Sequence, residues 1–221
     1  MSHRPLIIGL TGNIGVGKST VLDLLRKKGA RAIDADKLAH RVMAPGGPAY
    51  DAIVATFGSE ILAEDGSIDR SRLGAQVFSD PTKLARLESI VHPAVFQALR
   101  AEIQQATEPV VVIEAIKLLE AGLAITLCDQ VWVVTAPVEQ QIERLMRTRH
   151  MSRQAAEARM AAQSPQEEKV RQADVVIDNS GDRKALAAQV DAAWRALLGK
   201  RISSRKSSAG EETNSPNDST P

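Results

Sequence analysis

The chain has one cysteine, Cys128, so it can form no internal disulfide and can build no cysteine-based zinc cluster. Aromatic residues make up only 3%, too few for the stacking platforms that hold single-stranded nucleic acid. The formal net charge is +1, so no global field draws the molecule to polyanions or to an anionic membrane surface. No run approaches the ~18 apolar residues of a membrane span. The start, MSHRPLIIGL, lacks the long apolar core of a signal peptide. These absences fit a soluble protein of a reducing cytoplasm, with neither nucleic acid nor membrane as partner. What is present is a globular composition. The chain is 43% hydrophobic over 221 residues, which suits one α/β domain with a real core.

Strand patterns alternate with helical ones. Pro5–Leu10 reads as a short buried strand, Ala30–Ile33 as a second and 109–116, PVVVIEAI, as the clearest. DQVWVVT, 129–135, and Asp174–Ile177 complete the set; continuous β-branched runs of this kind suit a parallel sheet buried on both faces. Helices are expected over Val21–Lys28, Val138–Met146, Ala155–Ala162 and Arg183–Leu198, with a long one over Lys83–Gln105 that breaks near Pro93. The alternation predicts an open, mostly parallel sheet covered by helices. The stretch between the second and third strands is too long for one crossover, so it is read as a helical insertion over the sheet edge. After Gly199 the composition turns to Ser, Asn, Pro and charge, and 200–221 is expected to be a disordered polar tail.

Gly12-Asn13-Ile14-Gly15-Val16-Gly17-Lys18-Ser19 matches G-x-x-x-x-G-K-[ST] and sits where that motif belongs, after a strand and opening a helix. Glycines let backbone N–H groups converge on phosphate oxygens, and the helix start adds its dipole. Lys18 is expected to reach the β- and γ-phosphates, Ser19 to ligate Mg²⁺, and Thr20 to contact an α-phosphate. The loop names no reaction, so further groups are sought at the carboxyl ends of the strands.

The second strand ends in Asp34-Ala35-Asp36, where two readings stay open. One acid can accept the proton of an acceptor hydroxyl while the other holds a metal-bound water; alternatively the pair is an acidic cap of the helix over Lys37–Val42. Glu114, ending the third strand, stands either where a carboxylate contacts Mg²⁺ through water or as a solvated strand-end charge. His92, before Pro93, reads as structural from the residues alone. Arg144, Arg147, Arg149, Arg153 and Arg159 form a basic string suited to a helical lid that closes over a triphosphate, the alternative being a solvated face. Asp178-Asn179-Ser180-Gly181 fits the D-x-x-G of GTP-driven switches but stands too late in the chain, and no N-K-x-D follows it.

Together, GLTGNIGVGKST, IDADKLAHRVMAPGGPAYDAIVATFG, the HP at 92–93, EAIKLLEAG, ERLMRTRHMSRQAAEARMAAQ and KVRQADVVIDNSG make a chain that resembles the dephospho-CoA kinases, over 5–198. The resemblance implies an ATP- and Mg²⁺-dependent phosphotransferase in the cytoplasm, acting on the ribose 3′-hydroxyl of dephospho-CoA. It also implies the three-layer P-loop nucleotide-kinase fold: a kinase domain over 1–199 with a parallel core sheet, a helical substrate-binding insertion at about 36–107 and a helical lid at about 144–165. By that resemblance Asp36 is the base or hydroxyl-orienting acid, Lys18 and Arg144 share the catalytic role, and 12–20 bind ATP. Thr11, Asp34, Asp36, His40 and His92 then fall on the substrate side. Glu114 and Lys117 depart from the family pattern D-x-P-L-L-x-E: a longer acid is expected to reach the metal through water, and a new cation stands near substrate phosphate. A monomer is expected. Two other functions stay open, a nucleotide-binding regulator without turnover and a kinase for another acceptor.

Overall fold

The computed structural model describes residues 4–116, 118–119 and 124–211, with backbone alone for 200–211. Five strands carry the fold: β1 (Leu6–Thr11), β2 (Arg31–Asp34), β3 (Val110–Glu114), β4 (Gln130–Thr135) and β5 (Val175–Asp178). They pair in the order β2-β3-β1-β4-β5, and every pairing is parallel. All five expected strands are present, shifted by a residue or two at their ends.

The sheet is apolar on both faces because its side chains alternate. Ile8, Leu10, Val110, Val112, Trp132 and Val134 face one layer, made by α1 (Lys18–Lys27) and α9 (Arg183–Glu211), through Val21, Leu25, Val190 and Trp194. Ile7, Ile33, Val111 and Ile113 face the other, where they meet Leu99 and Ile103 of α5 (Pro81–Gln104). Helix α9 runs on past Gly199, where the composition changes and the sequence reading begins its disordered tail; 212–221 lie outside the described residues.

Between β2 and β3 the insertion folds as α2 (Ala35–Val42), α3 (Tyr50–Phe57), α4 (Arg70–Val77) and α5. Aspartates start three of these helices: Asp34, Asp69 and Asp80 each accept hydrogen bonds from first-turn N–H groups. The insertion has its own apolar centre in Ile53, Phe57, Ile61, Leu73 and Val77. Helix α5 corrects one expectation, for it does not break at Pro93. An interior proline costs about 3 kcal/mol, but α5 is well anchored. Its first half packs Leu84, Leu87 and Ile90 into the insertion centre, and its second half packs Leu99 and Ile103 on the sheet. Both halves are fixed along one axis, so the lost hydrogen bond is absorbed.

After β4 come α6 (Val138–Arg149), α7 (Arg153–Ala161) and α8 (Gln166–Arg171). Ile142, Leu145 and Ala156 bury a small apolar cluster of their own with Ile14 of the loop after β1. No helix among the described residues is long and apolar enough to cross a membrane.

Candidate active site

The loop between β1 and α1 is held from behind by its neighbours. Gly15 (φ +79°) lies against α6, and a Cβ there would come within 2.8 Å of the Gln141 carbonyl oxygen. Gly17 (φ +94°) lies against Asn179, whose amide would overlap any Cβ added to it. On the outer side Gln163 Oε1 accepts from the Ile14 N–H at 2.8 Å, and Asn13 Nδ2 donates to the Ser164 carbonyl at 3.2 Å. Lys18 opens α1 and turns back across the loop, where its buried ammonium donates to the Gly12 carbonyl at 2.8 Å and to Asn13 at 3.4 Å. Burial pulls its pKa below the ordinary lysine value. Glu114 and Asp36 oppose that shift, and Lys169 and Arg149 add to it.

Three carboxylates stand at the ends of β2 and β3. Asp34 is used by its own helix: Oδ1 accepts the Lys37 N–H at 2.9 Å and Oδ2 pairs with Lys37 Nζ at 3.1 Å. The cap reading therefore holds for Asp34. Asp36 lies in the first turn of α2. Desolvation pushes its pKa above the ordinary value and the Asp34 charge adds to this, while the Ile116 backbone N–H, Lys18 and His40 hold it down. Glu114 is half-buried and likewise raised by desolvation, with Lys18 opposing and Asp34 and Asp36 adding. Asp36, Glu114 and Lys18 thus lie within electrostatic reach of one another.

Lys18 and Glu114 line a cleft of about 480 Å³, together with Ile14, Gly15, Gly17, Ser19 and Thr20 of the loop, Ile116, Arg144, Arg147, Thr148 and Arg149 of α6, and Asn179 and Arg183; Asp36 stands outside this lining. Ser19 and Glu114 both line it, a hydroxyl and a carboxylate that suit Mg²⁺. The described residues contain no group of three or more acids, histidines or cysteines able to hold a metal. Mg²⁺ here would therefore need nucleotide phosphates and water as its remaining ligands, which is its usual habit.

Arg144 lies on α6. Its guanidinium donates to the Val16 carbonyl at 3.2 Å, to Gln140 Oε1 at 3.0 Å and to the Asn179 carbonyl at 2.8 Å. Arg153 is occupied elsewhere, forked onto Glu139 and paired with Glu157. Arg147 and Arg149 are exposed on the cleft wall.

Thr11 is fully buried, and its hydroxyl donates to the Ile116 carbonyl at 3.1 Å, where it supports the β3 exit. His40 stands one turn after Asp36 on the exposed face of α2. Crowding and the Arg70 cation hold it below the ordinary value, against Asp36 and Asp34. His92 is half-buried on α5. Lys117 lies outside the described residues.

Sequence reasoning passed over two residues here. Asn179 stood only inside a misplaced D-x-x-G and the quoted stretch KVRQADVVIDNSG, without a role, although an Asn at the carboxyl end of a strand is well placed for a ligand cleft. Lys169 is buried and donates to the Ile116 carbonyl at 3.1 Å, yet in the sequence it was only the first residue of KVRQADVVIDNSG, with no role assigned.

A family model described as dephospho-CoA kinase matches residues 6–185. A dephospho-CoA kinase of Carboxydothermus hydrogenoformans is 46% identical over 186 residues, covering 83% of this chain and 90% of its own. Among solved structures, a Thermus thermophilus protein superposes with a TM-score of 0.76 at 37% identity, covering 90% of this chain and 98% of its own. The dephospho-CoA kinase from Campylobacter jejuni superposes with a TM-score of 0.64 at 26% identity, covering 88% and 98%.

Proposed function

The chain belongs to the dephospho-CoA kinase family, and we propose that the cleft at the carboxyl ends of its central strands is where the reaction takes place. The enzyme transfers the γ-phosphoryl group of ATP to the 3′-hydroxyl of the ribose of dephospho-CoA, the last step of coenzyme A synthesis. The bond from the γ-phosphorus to the β,γ-bridging oxygen breaks, a bond to the 3′-oxygen forms, ADP leaves and the hydroxyl proton is lost.

One observation carries the assignment of roles: Lys18, Asp36 and Glu114 lie within electrostatic reach of one another around one glycine loop. Residues 12–20 hold the triphosphate, with Thr20 nearest the α-phosphate. Lys18 exchanges its bonds to Gly12 and Asn13 for β- and γ-phosphate oxygens, which costs little because the ammonium is already desolvated. Ser19, and Glu114 through water, would hold Mg²⁺, which would supply charge neutralisation on the phosphates. Arg144 and Arg149 add positive charge on the lid side, Arg149 being close enough to Lys18 to depress its pKa.

Asp36 orients the 3′-hydroxyl and takes its proton. Asp34 serves it indirectly, by capping the helix that carries it. His40, His92 and Lys117 belong to the acceptor side, His40 by its position one turn from Asp36. The proposal includes a monomer as the acting form and the cytoplasm as its compartment.

The test is Asp36→Asn, assayed for ADP release with and without dephospho-CoA and for ATP binding by calorimetry. Loss of a positioned base costs about 10²–10⁴ in turnover, so acceptor-dependent ADP release should fall at least a hundredfold while ATP affinity stays within a few-fold. An Asn variant that turns over at near the parental rate removes Asp36 from the chemistry. ADP release by the parent that does not depend on dephospho-CoA overturns the acceptor.

A further inference from the structure

We propose that Asn179 is a positioning residue for the phosphate loop, one that sets how its backbone N–H groups face the nucleotide. The inference rests on the reading that this loop holds the triphosphate of ATP. Asn179 is buried, directly after β5. Its Nδ2 donates to the Val16 carbonyl at 2.7 Å, and Arg144 donates to the same oxygen at 3.2 Å. In a trans peptide the C=O and the following N–H point in opposite directions. Drawing the Val16 carbonyl back toward β5 therefore turns the Gly17 N–H the other way, into the mouth of the loop.

Asn179 is itself held on several sides, as a positioning group must be. Its N–H donates to the Thr135 carbonyl at 2.8 Å, and its carbonyl accepts from Arg144 at 2.8 Å. One residue back, Asp178 exchanges two backbone hydrogen bonds with the Gln189 side chain on α9, at 3.0 and 2.8 Å. The loop meets it closely as well, since the Gly17 face against Asn179 has no space for a Cβ. Two separate segments thus converge on the Val16–Gly17 peptide of the loop: the β5 exit through Asn179 and helix α6 through Arg144.

Asn179 also lines the cleft, so contact with the nucleoside is the rival role. Inorganic tripolyphosphate separates the two, because it presents the same phosphates without base or sugar. Calorimetry with Mg²⁺ should compare ATP and tripolyphosphate binding to the parent, Asn179→Ala and Asn179→Asp. Losing one buried hydrogen bond while Arg144 keeps the carbonyl partnered should weaken both ligands by a similar factor, roughly tenfold. The Asp variant fills the same space but turns a carboxylate oxygen toward the Val16 carbonyl, so it should lose at least as much. A melting temperature close to the parent's shows that the loss is local. If only ATP weakens, the residue reads the nucleoside and the proposal fails. Unchanged binding of both ligands, parent-like binding by the Asp variant, or a loss explained by global unfolding also overturns it. A parent that binds ATP but not tripolyphosphate overturns it too, since loop shape would not be setting affinity. If the parent binds neither, the reading of the loop itself falls.

Discussion

Gly15→Ala tests whether the loop is rigidly seated on α6. The substitution meets two costs that can be worked separately. Gly15 sits at φ +79°, in the left-handed region, where an L-residue with a Cβ costs about 1–2 kcal/mol. The new Cβ would also lie 2.8 Å from the Gln141 carbonyl oxygen, 3.1 Å from its Cα and 3.2 Å from its Cβ. These are mostly helix backbone atoms, which cannot rotate away as a flexible side chain would. Forcing extra carbon into packed surroundings costs about 1–3 kcal/mol. The sum is about 2–5 kcal/mol, and in a chain of this size each kcal/mol lowers Tm by about 2–4 °C. The protein can meet this cost in two ways. It keeps the loop in place and melts earlier, or it moves the loop off α6 and loses the cradle. Calorimetric melts and ATP titrations, run on the same preparation, therefore have to be read together. A fall in either is expected, and their combined loss should reach about 2 kcal/mol or more. A variant with parental Tm and parental ATP affinity would refute the idea that α6 backs the loop.

Two further expectations concern charge and backbone strain. Glu114 is raised chiefly by burial, so its carboxyl binds a proton more tightly folded than unfolded. Ionising it therefore costs stability as pH rises through the folded pKa. Glu114→Gln should melt above the parent at pH 7.5, and the gain should vanish below about pH 4, where the acid is protonated in both states. A lower Tm at neutral pH would contradict this. His150, which ends α6 at φ +51°, is the one described non-glycine residue with positive φ. His150→Gly should stabilise by about 1 kcal/mol in thermal melts; a neutral or negative effect would mean that the imidazole contributes more than its strained backbone costs.

The sheet and the glycine loop were legible in the sequence for related reasons. Residues 110–114, VVVIE, are too uniformly β-branched for a half-exposed strand, and the loop's fixed positions are each required by phosphate geometry. Pro93 misled because local propensity carries no information about what a helix packs against. The fate of Asp34 and Asp36 was undecidable from spacing, since a cap and an acceptor-orienting acid want the same residue at the same place. Only the coordinates show Asp34 bonded to Lys37. The contacts of Thr11, Lys169 and Asn179 stayed hidden for another reason. Each residue makes its contact across a long stretch of chain, to the backbone of Ile116 or Val16, and backbone partners leave no side-chain pattern to find.

Glu102 sits on α5, and one of its oxygens accepts from Arg31 of β2 and the other from Arg41 of α2, each at 2.8 Å. Both arginines pull the carboxyl below its ordinary value, the Arg31 hydrogen bond most strongly. The two ends of the turn bearing Asp34 and Asp36 are thus moored to a single carboxylate. The aim of Asp36 is then inherited from how α5 lies across the sheet. The outer loops of the insertion, around Gly46 and Gly66, can change in length without disturbing it, whereas a shift of α5 along its axis carries Asp36 away from the place proposed for it beside the acceptor. Tolerance to insertion and deletion should therefore divide sharply within these seventy-odd residues, along the line where α2 rests on α5.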